Sequence, residues 1–166
     1  MKNLSKSIIL GIIILLLILV SIISLILYFN NQINNQKSVL FESSYTNFAW
    51  GYANYGYIIY SDGTIEEYDN SDEKRITDLK KDKITKEELN QLKTLANKVE
   101  DKYEEDNSGF PPMNDGGTSE KSIYNARLSK FVILSKSGDS LGGNSTETSK
   151  EILELTEKLY NKYLNE

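Results

Sequence analysis

With no His and no Cys among 166 residues, chemistry in this chain falls to Ser, Lys, Tyr and the carboxylates. A Ser nucleophile needs an adjacent base, and no G-x-S-x-G elbow is present; a Ser-Lys pair such as Ser135 with Lys130 sits in no catalytic motif and reads as ordinary strand and turn surface. Paired acids could hydrolyse a glycosidic bond if one were buried and the other solvated. Asp62, Glu66, Glu67, Asp69, Asp72 and Glu73 supply the acids, but on a turn, an edge strand and a polar loop, where solvated charge is expected. A calcium loop wants oxygens at alternate positions around a Gly; "DNSDE" at 69–73 lacks the Gly, and "NDGGTSE" at 114–120 lacks the spacing. No metal and no cofactor is therefore expected. The sequon Asn144-Ser145-Thr146 matters only where exported chains are glycosylated.

The remaining feature is the aromatic run "FAWGYANYGYIIY" at 48–60, which holds the only Trp. Phe48, Trp50 and Tyr52 share one parity, while Tyr55, Tyr57 and Ile59 continue on the other. A chain reversal at Ala53-Asn54 would explain the switch, but both two-residue hairpin turns need positive φ at Ala53. A bulge there, restoring one bulky face along a single bent strand, is preferred. Packing beneath helices accounts for such a face, since aromatic residues favour strands. Its Tyr-rich rim nevertheless nominates Trp50, Tyr52, Tyr55 and Tyr57 as a binding surface.

Elements that would position this face follow from periodicity. Asp62-Gly63 predicts a type I′ hairpin between 57–61 and 64–68, with Tyr57 facing Tyr68 and Tyr60 facing Ile65. Glu66 and Glu67 mark the second strand as an edge. Thr85 with Glu88 forms a capping box, Ile84 with Leu89 a hydrophobic staple, and Leu89, Leu92, Ala96, Val99 and Tyr103 an apolar stripe of about five turns. The run 104–120 reads as a long loop. Residues 128–135 read as a central strand covered on both faces, followed by a turn at 136–139 and a short return strand at 140–142. A second box, Thr148 with Glu151, opens a last helix burying Ile152, Leu155, Leu159 and Tyr163. The order hairpin, helix, hairpin, helix implies an α+β domain, an antiparallel sheet covered on one face by two helices. "KEELNQLKTLANKV" and "KEILELTEKLYNKY" match well enough to raise a ββα-ββα pseudo-repeat.

Ahead of this domain, residues 8–29 carry no charge. At 1.5 Å per residue they would make about 33 Å of helix, matching a hydrocarbon core of about 30 Å. The stretch is too long for a signal peptide and lacks small residues for cleavage, so it reads as an uncleaved single-pass signal anchor. Lys2 and Lys6 precede it, which places a stub, 1–7, in the cytoplasm. A polar spacer, 30–38, and an extracytoplasmic domain, 39–166, would follow, with the lipid bilayer as partner through 8–29. All 24 acidic residues and all but three of the 19 basic ones (Lys2, Lys6 and Lys37) lie beyond residue 38, leaving that part eight charges negative. Such a body is a poor partner for nucleic acid.

The anchor, the "YGYIIYSDGTIEEYD" hairpin and the capped Lys/Glu-rich helix together resemble small membrane-anchored or secreted proteins of Gram-positive bacteria, over about residues 45–103. The chain lacks the acylated Cys of lipoproteins among them, and the resemblance implies a location without an activity. Complete fold signals beside missing catalytic motifs imply a non-enzymatic, membrane-tethered extracytoplasmic module binding an envelope component or membrane protein. The alternatives are a carboxylate-dependent envelope hydrolase and an accessory factor acting through its transmembrane helix.

Overall fold

A computed structural model describes residues 6–34, 37–49, 51–106, 116–138 and 141–165. The chain forms two compact units, Met1–Gln36 and Lys37–Glu166. The first contains helix α1 (Lys6–Asn34), whose described side chains, over 11–25, are all exposed. Among the described residues no helix is long and apolar enough to cross a membrane. The expected transmembrane signal anchor is therefore withdrawn, and with it the single-pass location and the extracytoplasmic side deduced from it.

In the second unit the Asp62-Gly63 turn does form a hairpin, between β2 (Ala53–Tyr60) and β3 (Thr64–Asp69), but one residue out of the predicted register. Tyr57 faces Glu67 and Ile59 faces Ile65. The loop has three residues, 61–63: Gly63 takes φ +86°, and the Asp62 carboxylate accepts from both the N–H and the hydroxyl of Thr64 at 2.9 Å. A loop of this length ending in a left-handed glycine is the next favoured hairpin after the two-residue types. The shift decides the core, since it sends Ile59 and Ile65 together to complete burial.

The aromatic run is neither one bulged strand nor a hairpin at Ala53-Asn54. Strand β1 (Val39–Asn47) pairs antiparallel with β2, Tyr45 opposite Tyr55 and Asn47 opposite Ala53, so the chain reverses across 48–52. Nine residues with Phe41, Ser43 and Tyr45 at alternate positions thus form a strand the aromatic parity alone did not reveal. Gly56 sits where β2 runs closest to β1: a Cβ there would lie 1.9 Å from the Ser43 carbonyl oxygen.

Strands β4 (Lys81–Lys83), β5 (Tyr103–Glu105), β6 (Thr118–Asn125), β7 (Lys130–Gly138) and β8 (Gly142–Asn144) complete one antiparallel sheet in the order β4-β3-β2-β1-β6-β7-β8-β5. β3 is therefore not the edge. β4 lies outside it and brings Lys81 to 2.7 Å from Glu66, which explains the acidic pair without an exposed rim. The true edges, "KDK" in β4 and "YEE" in β5, are short and charged, as suits strands that must not recruit other chains. Residues 104–120, predicted as loop, supply β5 and the start of β6. β7 has neighbours on both sides, but only one face is covered: Val132 and Leu134 are buried while Phe131 is 44% exposed.

Two helices cover that face. α2 (Lys86–Lys98) opens with the predicted capping box, Thr85 accepting from the Glu88 N–H and Glu88 from the Thr85 N–H. It ends after 13 residues at Val99, in extended conformation, so Tyr103 belongs to β5 and not to the stripe. Two buried asparagines set that exit: Asn125 donates to the Val99 carbonyl at 2.9 Å and Asn144 to the Glu100 carbonyl at 2.6 Å. α3 (Glu147–Tyr163) is capped by Thr146, two residues before the predicted Thr148. The Asn144 side-chain oxygen accepts from the Thr146 N–H and hydroxyl and holds the cap in place. Asn144 is 94% buried with its amide donating to Glu100, so folding hides the sequon.

Leu92, Ala96, Val99, Ile152, Leu159 and Leu164 from the helices meet Phe41, Ile59, Ile65, Ile123, Val132 and Leu134 from the sheet in one core. The α+β layering expected from the sequence is present. The element order is β1-β2-β3-β4-α2 then β5-β6-β7-β8-α3, the two stretches joined where β1 pairs with β6, so each helix follows four strands and not the two of the expected ββα unit.

Candidate functional site

Beyond the end of the α3 cover, the helix-side face of β1, β2 and β6 stays open. Alternation puts Ser43 and Tyr45 of β1, Tyr55 and Tyr57 of β2, and Ser119 and Lys121 of β6 on this floor. The segment 75–80 forms one wall and the end of α3, Tyr160 to Asn165, the other. The open cleft between these walls measures about 550 Å³. A second recess of about 310 Å³, lined by Asn47, Gly51 and Ala53, shares Tyr45, Tyr55 and Arg75 with it.

The tyrosines differ in what they have left to offer. Tyr57 is 8% exposed, stacks on Tyr160 with centroids 4.8 Å apart, and donates to the Thr156 carbonyl at 3.3 Å. Burial pushes its phenol well above the ordinary range. It closes the inner end of the cleft and belongs mainly to the core. Tyr45 and Tyr55 face each other across β1 and β2, rings tilted with centroids 5.1 Å apart. The Tyr45 hydroxyl is committed, donating to the Gly116 carbonyl and accepting from Asn47. The half-buried Tyr55 has its ring contact and no hydrogen bond from its hydroxyl to any described residue.

The wall is built by two acids of the predicted set. Asp69, at the end of β3 and 3% exposed, accepts from the backbone N–H groups of Ser71, Arg75 and Ile76. Burial works against its ionised form, but these donors and the Ser71 hydroxyl prevail and hold its carboxyl well below the usual carboxylate range. Glu67 ties down the far end, accepting from the Lys80 N–H at 3.0 Å and from the Tyr160 hydroxyl at 3.2 Å. Between these two anchors Arg75 is presented at the junction of the two recesses. Burial first, then the Glu67 charge and hydrogen bond, raise the Tyr160 phenol.

Three of the other predicted acids are also structural, and the fourth, Glu73, is exposed. Asp62 closes its turn, Glu66 joins Lys37, Lys81 and Tyr60, and Asp72 accepts from the Tyr52 N–H at 3.1 Å. Among the described residues no group of three or more acids could hold a metal ion. Asp69 in "DNSDE" already has its oxygens filled by N–H donors, and "NDGGTSE" begins outside the described residues.

Of the predicted binding residues that are described, Tyr55 and Tyr57 reach the cleft and Tyr52 does not. Tyr52 lies on the 48–52 reversal, its ring 5.4 Å from that of Phe48 and its hydroxyl accepting from Asn54. Trp50 lies outside the described residues. Sequence reasoning missed Tyr45, Arg75, Lys121 and Tyr160. Alternation in "FESSY" at 41–45 carried the signal for Tyr45; nothing local announced the rest, since Lys121 arrives through the pairing of β6 with β1, Arg75 through the wall held by Asp69, and Tyr160 through the packing of α3.

A scan against protein-family models finds no match, and a comparison with curated proteins finds none either.

Proposed function

We propose that this chain is a non-enzymatic binding module whose ligand rests on the Tyr45 and Tyr55 rings. The supporting observation is what this floor gathers: a tilted ring pair under a cleft of about 550 Å³, with Arg75, Lys80 and Lys121 around it and the Tyr55 hydroxyl unused. The recess of about 530 Å³ on the opposite sheet face, beside Tyr124 and Phe131, is lined by Glu42 and by no cation. Cavities of this size with few convergent polar groups are what small-ligand sites require. A hydrolase would need a free acid pair. Glu67 and Asp78 both line the cleft, but both Glu67 oxygens already accept hydrogen bonds that hold the wall and α3 in place. That engagement favours binding over hydrolysis.

Ligand-observed NMR on the full chain, with a fragment set of saccharides, short peptides and nucleotides, tests this reading. Binders should be lost in Tyr55→Ala and kept in Phe131→Ala, which alters the opposite sheet face. Binders indifferent to Tyr55→Ala, or none at all, would overturn it.

A further inference from the structure

The groups around the cleft carry a chemical preference of their own. Arg75, Lys80 and Lys121 all line it, and none has an acidic partner within ion-pair distance among the described residues. Beyond residue 38 the body is eight charges negative, and of its sixteen cations Lys81, Lys102, Lys130, Lys136, Lys150 and Lys162 meet acids while the other ten make no ion pair among the described residues. Three of those ten gather at this one cleft, where they outnumber its acids, Glu67 and Asp78. The hydroxyls of Ser43, Ser119 and Tyr55 likewise make no hydrogen bond to described residues, and none is buried beyond reach of solvent.

The backbone of the floor, by contrast, is spent. β1 is bonded to both β2 and β6, β2 to β1 and β3, and β6 to β1 and β7. A peptide strand could not add to it through its main chain. Recognition must run through side chains: ring faces, hydroxyls and cations. A pyranose offers an apolar face to a tyrosine ring and hydroxyls to serines, and a ring carboxylate matches Arg and Lys. The overall negative field opposes long polyanions, so the local cations suit a short acidic chain or a chain end.

We infer that the Tyr45–Tyr55 cleft binds a short acidic saccharide, its sugar face on Tyr55 and its carboxylate between Arg75 and Lys121. This rests on the binding reading above and names its ligand class.

Titration of the full chain with trigalacturonate, its methyl ester and triglutamate, by calorimetry and amide NMR, tests it. The acid should bind at least tenfold tighter than the ester, and Tyr55→Ala and Lys121→Gln should each cost about tenfold, or about 1.4 kcal/mol. Lys121→Gln should also flatten the salt dependence. Tyr55→Phe, which keeps the ring and the packing, should lose only the hydroxyl's few-fold share. An ester bound as tightly as the acid, or triglutamate matching the saccharide, overturns the ligand class while leaving the cleft a site. No response to any probe also overturns it, and the fragment screen then decides independently whether the cleft binds at all.

Discussion

The Tyr163 phenol, near the end of α3, donates at 2.7 Å to the carboxylate of Glu88 in the first turn of α2. The same carboxylate accepts from Lys162 at 2.9 Å and from the Thr85 N–H and hydroxyl. One acid therefore caps its own helix and fastens the second to it. Burial opposes its charge, but the Lys162, Tyr163 and Thr85 hydrogen bonds outweigh that and hold its pKa at about 2, from an ordinary 4.5. Glu88→Gln should destabilise the domain by about 2 kcal/mol, the scale of hydrogen bonds to a charged acceptor. Urea denaturation at neutral pH measures it; a loss below a few tenths would remove the fastening role.

Acid should act through the same group. A carboxyl with a folded pKa of about 2 against 4.5 unfolded contributes stability that is complete above 4.5 and lost as pH falls towards 2. Glu66 follows the same course: burial raises its pKa, but Lys81, Lys37 and Tyr60 bring it to about 2. Stability followed from pH 6 to pH 2 should fall mainly below 4.5, and more shallowly in Glu88→Gln. Identical slopes in the two proteins would show that Glu88 is not linked to folding.

Asp69→Asn keeps the shape but replaces one acceptor oxygen by a donor amide facing backbone N–H groups. The cost expected is about 2 to 3 kcal/mol. Amide exchange at 71–76 should accelerate before the rest of the sheet, because Asp69 alone collects the Ser71, Arg75 and Ile76 N–H groups. Unchanged exchange there would mean that the wall is held by other contacts.

Gly56→Ala tests the close approach of β2 to β1. With a Cβ 1.9 Å from the Ser43 carbonyl oxygen, the strands must separate, at a cost of about 3 kcal/mol or more. Thermal unfolding reads this directly. A variant as stable as the parent would show that the strand pair can shift at little cost.

Alkaline titration of tyrosine absorbance should show two classes. Burial first, then the neighbouring Glu42 in the case of Tyr68, pushes the Tyr57 and Tyr68 phenols well up, while burial and Glu66 take Tyr60 to about 12. These should stay protonated while ordinary phenols ionise near 10. Tyr57→Phe should remove part of the late class, and an unchanged late amplitude would contradict its burial.

Features set by neighbours in sequence were legible, and those set by distant partners were not. The Thr85–Glu88 box needs only four residues and was readable; its additional partners Lys162 and Tyr163 come from the other end of the domain. Thr146 and Thr148 are both plausible caps locally, and a bonded Asn144 selects the first. The aromatic parity switch was seen at Ala53-Asn54, but its cause, pairing of Tyr55 with Tyr45, required a strand that shows weakly in "VLFESSYTN". Of the cleft, Tyr55 and Tyr57 were legible as bulky strand residues, whereas Lys121 reaches the same floor only through β6.

The seam between β1 and β6 sets how fast this domain can form. Each set of strands with its helix closes through contacts near in sequence, but Phe41 must find Ile123 across the whole intervening chain. Closing so long a loop is an entropic cost met late, after both halves have local structure to offer. The cleft floor spans that seam, so binding competence should arrive with the slowest folding phase and not before it.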